Sequence, residues 1–249
     1  MKQNSRRSFL RNFTILGAAA SLPKFKFGEN RNKEQRIKWP LGTKVLFQGD
    51  SITDGGRGRN LDWNHVLGQD YAYLIASRLW YDNIDKQLQF FNRGISGNRV
   101  TDLLNRWEKD ALEIKPDILN ILVGVNDSLA AINGDKSFTV ATYEIDYRHL
   151  LNITQKALPG TKIVICEPFI LPVGNVKEHW QDWQKEVKPR QEIARKLAKE
   201  FDAVFIPLQD HFSQALQKAP ADYWIWDGVH PMPAGHEMIA RVWIKAIGE

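Results

Sequence analysis

The sequence predicts a three-layer α/β/α sandwich with a central, mainly parallel five-stranded sheet. Short apolar runs alternate along the chain with longer segments in which apolar residues recur every three or four positions, as in strands alternating with amphipathic helices. The short runs are apolar on both faces, which is typical of parallel strands covered by helices on each side. A length of 249 residues, with 43% hydrophobic and 25% charged residues, fits one soluble domain of this class.

Five segments are predicted as strands and five as helices. The strands are residues 45–47, 88–91, 118–123, 163–166 and 204–206. The clearest strand, 118–123, follows Pro116 and ends at Gly124. The helices are residues 71–80, 100–112 and 140–154, a long polar segment with Ile193 and Leu197 on one face, and residues 234–247 after Pro233.

The first 23 residues are predicted to be a bacterial export signal rather than part of the fold. Adjacent Arg6 and Arg7 precede an apolar run at residues 13–20, as in signals of the twin-arginine type. The run is shorter than the ~20 residues that a membrane-spanning helix needs, so no stable membrane anchor is expected. The alternative is an amphipathic N-terminal helix, which the absence of acidic residues before Glu29 disfavours.

This interpretation divides the chain into a signal at 1–23, a linker at 24–40 and one domain at 41–249. It predicts a periplasmic or secreted protein whose precursor engages the twin-arginine export machinery. The formal net charge of +5 falls to +1 without the signal, because four cations lie in its first 20 residues. The basic balance is therefore no indication of nucleic-acid binding, and we expect none. The single cysteine, Cys166, excludes an internal disulfide.

Three segments with hydrogen-bonding or reactive side chains follow predicted strands, and a fourth precedes the last predicted helix. They are Gly49-Asp50-Ser51-Ile52-Thr53-Asp54, Asn92-Arg93-Gly94-Ile95-Ser96-Gly97-Asn98, Gly124-Val125-Asn126-Asp127 and Trp226-Asp227-Gly228-Val229-His230. Taken singly, each is compatible with a turn or a helix cap. Because ligands bind beyond the carboxyl ends of parallel strands, the four segments together indicate a catalytic site.

With these four segments in this order, the chain resembles the SGNH (GDSL) hydrolases, which are named for a Ser, a Gly, an Asn and a His in four blocks. The resemblance runs from about Thr43 to the C-terminus and implies a flavodoxin-like α/β fold and serine esterase activity. It implies that Ser51 is the nucleophile, that His230 accepts and returns its proton, and that Asp227 orients the imidazole. The oxyanion hole would comprise the backbone N–H groups of Ser51 and Gly97 and the side-chain amide of Asn126.

Other serine-esterase and metal-dependent chemistries are not indicated. No Gly-x-Ser-x-Gly elbow surrounds Ser51, which disfavours the other large serine-esterase fold. No cofactor or metal is expected, because the remaining histidines lack the spacing of a metal site: they are His65, His149, His179, His211 and His236. We expect His236, on the last predicted helix, to serve in packing or capping.

Within the family, the segment 49–57, the Ser96-Gly97-Asn98 block and Trp226 before Asp227 most resemble bacterial acetylxylan esterases and related carbohydrate deacetylases. The resemblance implies hydrolysis of O-acetyl groups from plant-type polysaccharides or oligosaccharides. Candidate substrate contacts are Asp50, Arg57, Trp63 and Trp226. Exposed tryptophan faces can stack on sugar rings, although most of the nine tryptophans are expected to pack in the core.

Two alternatives to the sugar esterase stay open at this point. One is a lipase, lysophospholipase or thioesterase that uses the same residues on longer acyl chains. The other is a carbohydrate-binding protein without catalysis on the same fold, which the full set of site residues disfavours. The sequence carries no interface signature, and so leaves open whether the chain forms a homo-oligomer.

Overall fold

A computed structural model of the protein describes residues 39–60 and 65–248. The predicted export signal, the predicted linker up to residue 38 and Trp63 lie outside the described residues, so their assignments stay predictions. Trp39 falls at the end of the predicted linker, yet it is buried in the core. The packed domain therefore already includes residue 39.

The central sheet has five strands, all of them parallel, which confirms the predicted fold class. They are β1 (Lys44–Gly49), β2 (Gln89–Asn92), β3 (Ile118–Leu122), β4 (Lys162–Cys166) and β5 (Val204–Ile206). Their order across the sheet is β2-β1-β3-β4-β5, the doubly wound order in which β2 is added on one side of β1 and β3, β4 and β5 on the other. All strands point the same way, so their carboxyl ends lie along one edge of the sheet.

Helices cover both faces of the sheet within the described residues. They are α1 (Ser51–Asp54), α2 (Tyr71–Asp82), α3 (Val100–Asn105), α4 (Val125–Ile132), α5 (Val140–Ala157), α6 (Gly174–Glu178), α7 (Trp180–Glu200), α8 (Leu208–Ala215), α9 (Ala221–Trp224) and α10 (Pro233–Gly248), with a 3₁₀ turn at Ile84–Lys86. In the part of the chain that the structure describes, no helix has both the length and the apolar character needed to cross a membrane.

Alternate residues of the strands enter two separate cores. Val45 and Phe47 of β1 pack with α2 and α10 on one face, whereas Leu46 packs with α3, α5 and α7 on the other. This alternation follows from the two-residue period of a strand. It accounts for the continuous apolar runs in the sequence, since both faces of the sheet are buried.

One helix prediction is wrong, and helix α4 lies where no helix is predicted. Residues 100–112 do not form one helix, because α3 ends at Asn105 and a separate π-helical turn follows at Glu108–Leu112. At the interruption, Arg106 donates to Asn98 and Asp110. The Trp107 indole donates to Thr154. These side-chain hydrogen bonds form where the regular helix is broken. Helix α4 was not predicted, since its Gly-Val-Asn-Asp start resembles a simple turn.

A buried asparagine joins the sheet to the helices on one face. Asn120, in the middle of β3, donates to the Tyr71 hydroxyl and accepts from the Trp243 indole, at 3.0 and 2.9 Å. The Tyr71 hydroxyl also lies 2.8 Å from Thr53 Oγ1. These contacts fix α2, α10 and α1 relative to one strand, and α1 is the helix that begins with Ser51.

His236 caps a helix, as the sequence predicts. It lies on α10, and its Nδ1 accepts a hydrogen bond of 3.3 Å from the backbone N–H of Tyr71, at the start of α2. Burial and, to a smaller extent, the charge of nearby His230 lower the pKa of His236 to about 4. His236 is therefore neutral in the folded protein across the physiological pH range.

We predict that this histidine makes the fold sensitive to mild acid. In the unfolded chain His236 binds a proton below about pH 6.5, whereas in the folded chain it does so only near pH 4. Its stabilising contribution is present above pH 6.5 and is lost as the pH falls toward 4. Between pH 7 and 4.5 the wild type should lose about 2–3 kcal/mol more free energy of unfolding than His236→Gln, measured by urea denaturation. Equal losses in both proteins would contradict this prediction.

Candidate active site

The four predicted segments meet at the carboxyl edge of the sheet. Ser51 is the first residue of α1, immediately after β1, and is half-buried. Gly49, at the end of β1, packs so closely that an added Cβ would lie 2.3 Å from the carbonyl oxygen of Leu122. Only glycine permits this approach of β1 to the end of β3, and the chain turns there into α1.

A chain of hydrogen bonds joins Ser51, His230 and Asp227. Ser51 Oγ lies 2.7 Å from His230 Nε2, and His230 Nδ1 lies 2.6 Å from Asp227 Oδ2. An ionised carboxylate can only accept, so Nδ1 carries the imidazole proton and Nε2 accepts from the serine hydroxyl. The three side chains can therefore move a proton away from Ser51 Oγ, as a nucleophilic hydroxyl requires.

Asp227 is held in its ionised form. Burial raises the pKa of Asp227, but this effect is outweighed by hydrogen bonds from the backbone and side chain of His230 and from the backbone of Val229, so the pKa lies below its usual value. The backbone bonds measure 2.8 and 3.0 Å and both reach Oδ1. The other oxygen stays available to the imidazole.

The loop that carries Asp227 and His230 is narrow and well supported. The Trp226 backbone N–H donates to the His230 carbonyl at 3.1 Å, which closes the loop. Gly228 has φ +105°, and an added Cβ would lie 2.3 Å from a methyl group of Val176. Glycine is therefore required at 228 both by its backbone conformation and by the packing.

Three donors that the resemblance assigns to an oxyanion hole follow β1, β2 and β3: Ser51 and Asn126 lie at the starts of α1 and α4, and Gly97 lies in the turn after β2. Among the described residues, the backbone N–H groups of Ser51 and Gly97 have no protein acceptor. The Asn126 amide donates to the carbonyl of Asn98 at 3.1 Å through Nδ2, which leaves its second N–H free for a ligand. These N–H groups can bind an anionic oxygen that develops near Ser51.

Glycine at 97 is required by backbone conformation. Gly97 has φ +83°, in the left-handed region, whereas an added Cβ there would meet no protein atom within 4 Å. A side chain at 97 would therefore strain the turn that presents the N–H.

The loop after β2 is anchored to its neighbours by polar contacts. Asn92 accepts from Gly94 N and donates to the carbonyl of Leu67, both at 2.9 Å. Arg57 Nε donates to the carbonyl of Gly94, also at 2.9 Å. These contacts hold the segment that leads to Gly97 against the loop after α1.

The four predicted substrate contacts have different placements. Asp50 is buried and accepts from the backbone N–H of Ile52, so it caps α1, and this placement does not support a substrate contact. Burial raises the pKa of Asp50 to about 7.

The other predicted substrate contacts lie elsewhere around the site. Arg57 supports the Gly94 loop through Nε. Trp226 is 59% exposed, and its ring stacks on the His230 ring with 6.2 Å between the centroids. Trp63 lies outside the described residues.

Sequence reasoning did not single out Asp54 or Arg106, both of which contact the loop that carries Gly97. Asp54 accepts from Ser96, and Arg106 Nε donates to Asn98 Oδ1 at 2.8 Å. Asp54 stands in the same motif as Ser51, but a motif does not reveal its partner. Within residues 39–60 and 65–248, no group of three or more His, Cys, Asp or Glu side chains is placed to hold a metal ion.

Comparison with known proteins identifies the family of the chain. Residues 47–238 match the model of the GDSL-like lipase/acylhydrolase family. An acetylxylan esterase from Geobacillus stearothermophilus is 32% identical over 218 residues, which span 85% of this chain and 97% of that protein.

Solved structures give the same result. A GDSL-like lipase from Parabacteroides merdae is 42% identical, with a TM-score of 0.81 over 85% of this chain and 98% of that one. The acetylxylan esterase Axe2 from G. stearothermophilus is 30% identical, with a TM-score of 0.75 over 86% and 97%. The chain belongs to the GDSL-like lipase/acylhydrolase family and is a carboxylic ester hydrolase.

Proposed function

We propose that the protein removes O-acetyl groups from carbohydrates, such as acetylxylan or related plant polysaccharides and oligosaccharides, through an acyl-enzyme at Ser51. The proposal depends on the hydrogen-bond chain from Ser51 through His230 to Asp227. Similarity to an acetylxylan esterase over 85% of the chain supports the choice of substrate.

In the first half of the reaction, Ser51 Oγ attacks the ester carbonyl carbon while His230 Nε2 takes the hydroxyl proton. The carbonyl oxygen becomes an oxyanion, and Asp227 stabilises the imidazolium. When the tetrahedral intermediate collapses, the bond to the sugar oxygen breaks and Nε2–H gives its proton to that oxygen. The products are a free sugar hydroxyl and an acetylated Ser51.

In the second half, water replaces the sugar. His230 Nε2 takes a proton from the water as its oxygen attacks the acetyl carbon, and a second oxyanion forms. Collapse of this intermediate breaks the bond to Ser51 Oγ, which regains its proton from Nε2–H, and acetic acid is released. Donors from Ser51, Gly97 and Asn126 bind both oxyanions, and each such donor contributes about 3 kcal/mol in the transition state.

Trp226 and Arg57 are the proposed contacts to the sugar among the described residues. The exposed indole of Trp226 beside His230 offers an apolar face on which a sugar ring can stack. The two terminal nitrogens of the Arg57 guanidinium make no hydrogen bond to the described residues and can donate to sugar oxygens. We further propose that the protein acts in the periplasm or outside the cell, where such polysaccharides occur, as its N-terminal sequence predicts.

The alternative is hydrolysis of esters with longer acyl chains. It is supported by the 42% identity to the P. merdae protein, which is assigned to the GDSL-like lipases. The same hydroxyl, imidazole and N–H donors would serve either substrate, so only the acyl-chain preference separates the two activities.

We predict that Ser51→Ala lowers kcat for acetate release from acetylated xylooligosaccharides by a factor of roughly 10⁴ or more, because no acyl-enzyme can form. Asp227→Asn should lower kcat by a similar order, since its amide no longer orients and stabilises the imidazolium. Ser77→Ala is the matched control, because it removes an exposed hydroxyl on α2. It should stay within twofold of the wild type. Acetate release by Ser51→Ala at the wild-type rate would contradict the mechanism.

We also predict a steep preference for short acyl groups. The value of kcat/KM for 4-nitrophenyl acetate should exceed that for the octanoate by at least about tenfold, as expected if the site accommodates an acetyl group and excludes longer chains. A series from acetate to octanoate measures this directly. Activity that rises toward octanoate would reject the sugar esterase in favour of a lipase.

A further inference from the structure

We propose that Asp54 is a positioning residue that fixes the position of the Gly97 N–H relative to the nucleophile Ser51. The inference rests on the proposed function, because it assigns a role to Asp54 in the oxyanion hole of that reaction. It concerns a side chain that touches neither the substrate nor the reacting atoms.

The contacts of Asp54 converge on the residue next to Gly97. Asp54 Oδ2 accepts from Ser96 N at 3.0 Å and from Ser96 Oγ at 3.1 Å. Arg59 donates to both carboxylate oxygens, at 3.2 Å to Oδ1 and 2.7 Å to Oδ2. The Asp54 side chain is only 6% exposed, so these donors take the place of solvent.

The contact between Asp54 and Ser96 joins the helix that begins with Ser51 to the turn that carries Gly97. Asp54 is the last residue of α1, the four-residue helix that begins with Ser51. Ser96 directly precedes Gly97, and both residues are exposed. Elsewhere in this turn, Ile95 N donates to the Gly49 carbonyl and Asn98 N to the Ile95 carbonyl, both at 3.1 Å. Asn98, on the other side of Gly97, accepts from Arg106 and Asn126, neither of which belongs to α1. Asp54 is therefore the side chain that ties the exposed tip of the turn to the nucleophile's helix.

The carboxylate form of Asp54 suits its donors. Burial raises the pKa of Asp54, but hydrogen bonds from Arg59 and from Ser96 outweigh it and bring the pKa below its usual value. An ionised carboxylate accepts at both oxygens, which matches two guanidinium nitrogens, one backbone N–H and one hydroxyl. An asparagine at this position would present an NH₂ group to donors of Arg59 or Ser96. The hydrogen bonds that the replaced carboxylate oxygen accepts would therefore be lost.

Displacement of the turn would act on the transition state more than on substrate binding. The Gly97 N–H is needed where negative charge develops, and a donor that is misplaced by a fraction of an ångström stabilises that charge less. An interaction made only in the transition state lowers kcat when it is lost and leaves KM nearly unchanged.

The test compares Asp54→Asn with the wild type in hydrolysis of 4-nitrophenyl acetate. We expect kcat per active site to fall by about 10- to 100-fold, with KM within about threefold. The extent of labelling by a fluorophosphonate counts the active sites, which separates a slower enzyme from a partly unfolded one. The inhibition constant of a boronic acid, which forms a tetrahedral adduct on the serine, should rise by the same factor as kcat falls. A role in general stability alone would not produce this match.

Asp117→Asn is the matched control, because Asp117 Oδ2 accepts from the Lys44 backbone N–H at the start of β1, the opposite edge of the sheet. It should change neither kcat nor the inhibition constant. If Asp54→Asn does not fold, Ser96→Ala replaces it, since it removes one of the two Ser96 contacts. We then expect a three- to tenfold fall in kcat with the same rise in the inhibition constant.

A fully labelled Asp54→Asn enzyme with kcat within twofold of the wild type would overturn the inference, as would a change confined to KM. For Ser96→Ala, an unchanged kcat and inhibition constant would do so. Ser51→Ala separates this failure from failure of the proposed function. If Ser51→Ala is inactive while Asp54→Asn is unaffected, only the positioning role is wrong. If Ser51→Ala remains active, the mechanism itself is wrong.

Discussion

The arrangement of this protein depends on five parallel strands that end along one edge. Ser51 and His230 are 179 positions apart in the chain, yet their side chains lie 2.7 Å apart because β1 and the loop before α10 both reach that edge. The donors on the loops after β2 and β3 arrive there for the same reason. The buried bonds of Asn120 to Tyr71 and Trp243 keep the helices behind this edge in place.

Hydrogen-bond donors set the order of the pKa values of the carboxyl groups near the site. Asp227 and Asp54 each accept several short hydrogen bonds, and their pKa values lie below the usual value although burial acts in the opposite direction. Asp50 and Asp127 each have one oxygen without a partner among the described residues, and burial raises their pKa values to about 7 and about 6. Asp227 and Asp54, the carboxylates that contact His230 and the Gly97 turn, therefore stay ionised to lower pH than Asp50 and Asp127 do.

The fold class and the candidate site residues could be predicted from the sequence. Parallel strands that are buried on both faces leave continuous apolar runs, and Ser51, Gly97, Asn126, Asp227 and His230 stand in short motifs. Contacts between segments could not be predicted. The break at Arg106 and Trp107 depends on Asn98, Asp110 and Thr154, which are distant or unremarkable in the sequence. In the sequence Asp50 is compatible with a substrate contact or a helix cap, and the structure places it as the buried cap of α1. The partner of Asp54 becomes visible only when the turns after β1 and β2 are side by side.

The most direct test of the account is a crystal structure of the wild-type protein after reaction with an alkyl fluorophosphonate, whose adduct imitates the tetrahedral intermediate. We expect phosphorus bonded to Ser51 Oγ, with its oxyanion-like oxygen about 3 Å from the backbone nitrogens of Ser51 and Gly97 and from Asn126 Nδ2. An adduct on another residue, or a phosphoryl oxygen pointing away from these three nitrogens, would contradict it.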